Sequence, residues 1–341
     1  MVIYVHIIFV ALSVGILWKA AGFFVEGAVG IAEKLHVPKM LVGIVLVSLA
    51  TTAPELTTSV LAALQGNPEL ALGNAVGSVI VDDGVALALA ALLSPLALLA
   101  HPRIFKTSAI FLIIVDVAAF LMVLDGSLGR VEGLVLLAFF VGYVAFSYRT
   151  ERRLHTAGKA PEEGIEAADD VKEIEEKIGG RSVRAIVFIF ASGLVGVLVG
   201  SELLLIGSLG IAEKLGLSTV VIGLTVVAAG TSVPEVATAI TSALKGHSSI
   251  GVGNIIGADI LNICWVAGAS AMVHPLAVSR KEVFVMFPAM LAIVSTMLLM
   301  LFFGKYKLRR WYGAVLLGMY VAYVAILFWL IPPGSGGAAV R

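Results

Sequence analysis

The hydrophobic positions of this chain gather into long blocks, separated by short charged or Pro/Gly-rich breaks. Several blocks reach the ~20 residues that a helix needs to span a bilayer. Read between the breaks, they predict ten helical spans: 2–29, 39–64, 69–93, 104–124, 129–148, 183–212, 219–244, 249–272, 281–303 and 309–331. Segment 150–182 stands apart. It is dense in charge of both signs and predicts a solvated connector with at most a short helix. The predicted organisation is a first five-helix unit at 1–149, the connector at 150–182, a second five-helix unit at 183–332 and a flexible tail at 333–341.

The two units repeat one another. Ile31–Pro95 lies over Ile211–Pro275 without a gap, and both stretches open on IAEKL. TTAPE (Thr51–Glu55) falls on the TSVPE of GTSVPE (Gly230–Glu235), and GNAVGS (Gly73–Ser78) falls on GNIIGA (Gly253–Ala258). Five spans per unit is an odd number, so the second unit must cross the membrane in the opposite sense from the first. The fold class predicted is an all-α membrane protein of ten transmembrane helices in two inverted five-helix repeats. Inverted repeats of this kind mark secondary transporters, with the site near the midplane on interrupted helices.

Composition agrees with lipid as the solvent. Of the 341 residues 60% are hydrophobic and 13% charged, and the mean hydropathy is +1.05; soluble domains carry about a quarter charged residues. The 36 glycines suit close helix–helix packing in a membrane. A net charge of zero gives no support to nucleic-acid binding, and the single cysteine, Cys264, allows no intrachain disulfide. The first block lacks a basic leader and a small-residue cleavage site, which predicts a retained helix rather than a signal peptide. About three quarters of the 23 Lys and Arg fall in loops that share one side if the N-terminus is outside. That places the N-terminus outside and the connector in the cytoplasm of a plasma-membrane protein.

The candidate chemistry sits at Pro54 and Pro234. Proline removes a backbone donor and clashes with the preceding turn, which frees carbonyls near Ser48–Thr51 and Ala228–Thr231. In a membrane, irregular backbone survives only where it is buried or lines a polar cavity. Thr51, Thr52, Thr231 and Ser232 add hydroxyls at the two breaks, and Glu55 and Glu235 add carboxylates. Carbonyl, hydroxyl and carboxylate oxygens suit Na+ or Ca2+ rather than thiolate- or imidazole-loving metals. The competing structural reading kinks two packing helices and pairs the glutamates with Lys19 or Arg130; two such motifs in register weigh against it. Gly73/Gly77 and Gly253/Gly257 predict close backbone approach. Ser78 and Asp82 share a helix face at i, i+4, as do Ala258 and Asn262. Asp83 points about 100° away from Asp82 on an ideal helix, and Asp259 lies near the Ala258/Asn262 face. Asn74 and Asn254 read as structural hydrogen-bonders; Asp116, Glu202 and Glu26 read as interhelical or helix-end polar residues.

The pair TTAPE…GNAVGS and GTSVPE…GNIIGA resembles the two alpha-repeats of the sodium/calcium exchanger family, within the calcium/cation antiporter superfamily, and the resemblance spans essentially the whole chain. It implies that Glu55 and Glu235 bind Ca2+ or Na+ in turn. It also implies help from Thr51, Thr52, Thr231, Ser232, the Ser48 and Ala228 carbonyls, the sodium ligand Ser78 and the mid-site Asp82 and Asn262. The chain departs from the family pattern where Ala258 stands for a serine, Ala50 and Thr52 for Gly and Ser, and Asp259 for a frequent Asn. Asp259 is added to the candidate ligands on that account.

The function expected is secondary antiport: Ca2+ out against Na+, by alternating access at a shared acidic site, with no resident cofactor and a single chain sufficing. The alternative is a Ca2+/H+ or other cation/H+ antiporter. It gains from the missing hydroxyl at Ala258 and from the crowding of Glu55, Asp82, Glu235 and Asp259. A ten-helix organic-solute exporter would not need symmetric Pro-Glu breaks. An intramembrane enzyme finds no HExxH, no His–Ser pair and no GxGD-type motif in the sequence.

Overall fold

The computed structural model describes residues 3–34, 48–100, 102–156, 180–244 and 248–332. The first helix is Ile3–Lys34. The second, described from Ser48, is Ser48–Thr51 and then Ala53–Leu64, with Thr52 at the break. The third, Pro68–Val81, passes through a wide turn at Asp82–Leu87 into Ala88–Leu93. The fourth is Pro102–Met122 and the fifth Arg130–Thr156. The second half follows the same plan: a sixth helix Val183–Leu215, and a seventh over Thr219–Ile222, Gly223–Val227, Ala228–Thr231 and Val233–Leu244. The eighth runs Ser248–Leu261, Asn262–Ala267 and Gly268–Val273; the ninth is Arg280–Phe303 and the tenth Arg310–Leu330.

Local sequence explains many of the ends. Ser182 caps the sixth helix by accepting from the Ala185 N–H at 3.3 Å, and Gly216 closes it with φ 64. Ser279 and Glu282 form a reciprocal capping box on the ninth helix. The fifth helix continues to Thr156, past the expected end at 148, because Thr150–Thr156 holds good helix formers and no Gly or Pro. The expected spans otherwise start and stop within a few residues of the helices. The remainder of the connector (157–179), the tail (333–341) and the start of the second span (35–47) lie outside the described residues.

Six helices among the described residues are long and apolar enough to cross a bilayer, and the seventh qualifies as a pair bent by 47°. They do not play equal parts. In the apolar windows of the third and eighth helices 78% of residues are buried, against 18% and 22% in the first and sixth. The third and eighth therefore form the centre, and the first and sixth lie outside as a pair. That pair meets backbone to backbone. A Cβ on Gly193 would sit 2.4 Å from the Phe24 nitrogen, and one on Gly27 would sit 2.5 Å from the Phe190 backbone.

Four two-residue strands fix the relation between the halves. β1 (Leu98–Leu99) follows the third helix, β2 (Ser127–Leu128) precedes the fifth, β3 (Leu276–Ala277) follows the eighth and β4 (Lys307–Leu308) precedes the tenth. β1 pairs antiparallel with β4, and β2 with β3. The loop after the third helix thus meets the loop before the tenth, not its own repeat partner after the eighth. Corresponding loops lie at opposite ends of the bundle, which is what inverted repeats require.

Candidate functional site

The centre is built where the second and seventh helices break. Thr52 and Ser232 hold the break positions, with φ −82, ψ 7 and φ −76, ψ 7. Each break is one residue before the Val/Ala-Pro step, so the chain restarts a helix with proline in its first turn, where no N–H is needed. The Ala228 carbonyl, expected to be freed, accepts from the Ser232 N–H at 3.0 Å and from Thr231 Oγ1 at 3.3 Å. The carbonyls that lose a helical donor to proline are those four residues back, Ala50 and Gly230. Ser48 sits in the short helical turn before the first break.

Across this centre each half reaches into the other. Ser232 Oγ donates to Glu55 Oε1 at 3.4 Å, and Glu235 lies beside the Thr51 hydroxyl. Asn74, on the third helix, ties the arrangement together. Its Nδ2 donates to the Glu55 carbonyl at 3.3 Å and to Ser59 Oγ at 2.9 Å, while its Oδ1 accepts from Thr231 Oγ1 at 3.2 Å. Asn74 therefore holds the structural role read from the sequence, and holds it between the two repeats. The single Thr231 hydroxyl proton is shared between Asn74 Oδ1 and, back along its own helix, the Val227 carbonyl at 3.1 Å and the Ala228 carbonyl.

Glycine brings the third helix this close. Cβ atoms on Gly73 and Gly77 would lie 2.8 Å from the Val220 carbonyl oxygen and the Leu224 Cα, and one on Gly223 would lie 2.7 Å from the Leu70 carbonyl oxygen. The eighth helix has Gly253 at the matching place, but the segment that would face it by repeat symmetry lies in 35–47, outside the described residues.

Asp82 and Asn262 face each other from the third and eighth helices, and Asn262 Nδ2 donates to Asp82 Oδ2 at 3.3 Å. Both residues open a wide π-helical turn, a distortion that is frequent at functional sites. Glu55, Asp82 and Glu235 are fully buried and close enough to repel one another. Several oxygens at the centre are under-satisfied: Glu55 Oε2, Asp82 Oδ1, Asn262 Oδ1 and Ser78 Oγ are buried without a hydrogen-bond partner, and the two Glu235 oxygens have at most the neighbouring Thr51 hydroxyl. The postulated pairing of the glutamates with Lys19 fails, because Lys19 is exposed on the outer face of the first helix. Pairing with Arg130 fails as well, since Arg130 is exposed at the start of the fifth helix.

Buried acceptors without donors are costly, and a cation is the partner that would satisfy several at once. The donor set is oxygen only and therefore hard. Among the described residues no three acidic, histidine or cysteine side chains converge tightly enough to enclose a metal by themselves. An ion here must draw on hydroxyl and carbonyl oxygens too, as the mixed Thr/Ser/Glu composition of the breaks allows.

The family model described as sodium/calcium exchanger protein matches residues 5–149 and 185–329. The chain belongs to the sodium/calcium exchanger family. Among its relatives, the sodium/calcium exchanger MaX1 of Methanosarcina acetivorans is 29% identical over 351 residues, covering 96% of this chain and 99% of that protein. The inner membrane protein YrbG of Escherichia coli is 31% identical over 301 residues, 87% of this chain and 88% of its own. Among solved structures, the sodium-calcium exchanger NCX_Mj soaked with 2.5 mM Na+ and 0.1 mM Ca2+ matches with TM-score 0.64 at 27% identity, covering 96% of this chain and 99% of that one. The ten-helix, two-repeat architecture of sodium/calcium exchangers is therefore the architecture of this chain, and the protein is a secondary transporter rather than an enzyme.

Within this exchanger frame three further acids stand out. Asp83 and Asp259 face each other, and Asp116 from the fourth helix lies within Coulombic reach of both. All three are buried, and none of their six carboxyl oxygens finds a donor. Asp259 thus faces Asp83, and it lies within Coulombic reach of Asp82 at the centre as well. In the sequence Asp116 is legible only as an interhelical polar residue, and Asp83 as one turned away from the site. The remaining weak candidates are bonded near the bundle edge: Glu26 pairs with Arg181 at 2.8 Å, and Glu202 accepts from Gln65 Nε2 at 2.8 Å.

Proposed function

We propose that this exchanger exports Ca2+ in exchange for Na+, by alternating access to the centre between the two breaks. Glu55 and Glu235 carry the charge that attracts the divalent ion. Asp82, Asn262, Thr51, Thr52, Thr231, Ser232 and Ser78 supply further oxygens, with backbone carbonyls at Ser48 and at the proline-freed Ala50 and Gly230, the last in place of the engaged Ala228. The observation that carries the reading is the set of fully buried acceptors that converge without donors from symmetry-related helices. The names of MaX1 and NCX_Mj, both sodium/calcium exchangers, supply the ion pair. Mutual exclusion couples the fluxes: Ca2+ and Na+ need the same carboxylates, so loading one ion releases the other. The first and sixth helices, apolar and glycine-joined at the rim, would slide as one body across the fixed core. The plasma membrane is the proposed location, with a cytoplasmic connector at 150–182 between repeats 1–149 and 183–332.

The coupling ion is tested by Ca2+ flux in proteoliposomes under a Na+ gradient at equal pH, against a pH gradient without Na+. Flux is expected under the first condition. Flux under the second alone would replace Na+ with H+. If Na+ drives the flux, Ala258→Ser should raise the apparent Na+ affinity by restoring the hydroxyl that Ser78 supplies in the other half; an unchanged affinity would make that hydroxyl irrelevant to Na+ binding.

Orientation has its own test. Cysteines placed at 155–175 in a Cys264→Ala background should react with an impermeant maleimide only from the cytoplasmic side, and a cysteine beside Gly126 only from outside. The reverse labelling pattern would invert the proposed direction of transport.

A further inference from the structure

Lys19 takes no part in the exchange centre, yet it lies inside the apolar window Ile3–Phe24 of the first helix. Its side chain is exposed, beside Trp18, which is 58% exposed. On the same helix face Gly15 and Gly22 stand four residues before and three after it, and a Cβ on either would meet no neighbour. A cation therefore lies in an open trough on the surface that faces lipid. Two turns further along, the part-exposed Glu26–Arg181 pair marks where water begins. Phe24, the last residue of the apolar window, is about 8 Å along the axis from Lys19, within the reach of a lysine stem that runs along an apolar surface toward the headgroups. An exposed tryptophan at this level fits the aromatic belt of a membrane interface.

We propose that Lys19 and the Gly15–Gly22 trough hold the headgroup of an anionic phospholipid, from the leaflet on the Arg181 side. A charge inside a span demands a partner. Among the described residues no acidic group pairs with Lys19: near its level Glu26 and Glu202 are bonded, and the exposed Glu213 stands near the far end of the sixth helix. The same fact disfavours a second copy of this chain as the occupant, because its described lipid-facing surface offers no free carboxylate at this depth. A lipid phosphate supplies the negative charge, and the glycines leave room for the glycerol and upper acyl carbons against the helix.

The test is native mass spectrometry of the full chain in detergent, titrated with dioleoylphosphatidylglycerol or dioleoylphosphatidylcholine. Wild type should bind the glycerol lipid about fivefold more tightly than Lys19→Gln, the increment expected for one lysine at an anionic surface. Lys19→Arg should match wild type, and the choline lipid should bind all three proteins alike. Equal binding of the glycerol lipid to wild type and Lys19→Gln would overturn the proposal. An equal loss of the choline lipid would overturn its anionic character. A dimer of wild type that Lys19→Gln abolishes would replace the lipid with a second copy. Folding does not confound the comparison, since removing a lipid-facing charge lowers the cost of inserting the helix, and a thermal melt of each variant checks this.

Discussion

Glu55→Gln and Glu235→Gln should each reduce gradient-driven Ca2+ uptake by about a hundredfold or more while leaving the purified protein folded. The size follows from removing one partner of a desolvated charge interaction, which costs about 3–5 kcal/mol. Among the described residues nothing nearby replaces the lost charge: around the two glutamates they supply hydroxyls, an amide and Asp82, which is already bonded to Asn262. Folding should survive because glutamine at 55 can still accept from Ser232, and a neutral group is cheaper to bury than a carboxylate. Asp82→Asn should be milder, since it keeps an oxygen donor and both glutamates. The check is uptake of radioactive Ca2+ into vesicles, normalised to protein that elutes as a single peak. Uptake near the wild-type rate by either glutamine variant would remove the exchange centre from between the two breaks.

Gly193→Leu should separate the first and sixth helices and lower the melting temperature. A Cβ there would stand 2.4 Å from the Phe24 nitrogen and 2.7 Å from its Cα. Backbone cannot swing aside as a side chain can, so the helices must move apart along the seam. Overpacking of this kind costs about 1–3 kcal/mol or more, and leucine adds bulk beyond the Cβ. Transport should fall with it, because a pair forced off the core cannot present a closed face to the centre. Gly22→Leu is the matched control: its Cβ meets nothing within 4 Å, and the expected change is within about 0.5 kcal/mol. Thermal-shift curves of the two variants in one detergent decide the matter, and equal midpoints would mean that the seam tolerates bulk.

The sequence carries much of this architecture openly and hides the rest for definite reasons. Apolar blocks and the IAEKL repeat mark the spans and their inversion, because lipid demands long unbroken apolar runs and a repeat preserves spacing. Pro54 and Pro234 announce the breaks, since no other residue removes a helical donor. The wide turns at Asp82–Leu87, Gly223–Val227 and Asn262–Ala267 are invisible: a shift from i→i+4 to i→i+5 bonding needs no special residue and leaves no mark in composition. Asp83 stands about 100° from Asp82 on a regular helix, and its meeting with Asp259 is a contact between the repeats that spacing along one helix does not reveal. Hydrogen bonding at the break keeps the Ala228 carbonyl engaged, so the deficit falls on Gly230. The strands escape notice because two residues are too few to show any alternation.

Those strands bear on how the chain is made. Leu98–Leu99 pairs with Lys307–Leu308, and Ser127–Leu128 with Leu276–Ala277, so the ends of the first half are tied off only by residues near the end of the second. At translation rates of about 5–20 residues per second, β1 waits roughly 10–40 s at the ribosome for its partner. Until the seventh helix emerges, Asn74 lacks Thr231 and Glu55 lacks Ser232, and the edge of β1 stays open for the whole interval. Biogenesis must shelter the polar groups until the seventh helix arrives and the edge of β1 until β4 does, and a ribosome stalled before β4 would leave an untied transporter for quality control to remove.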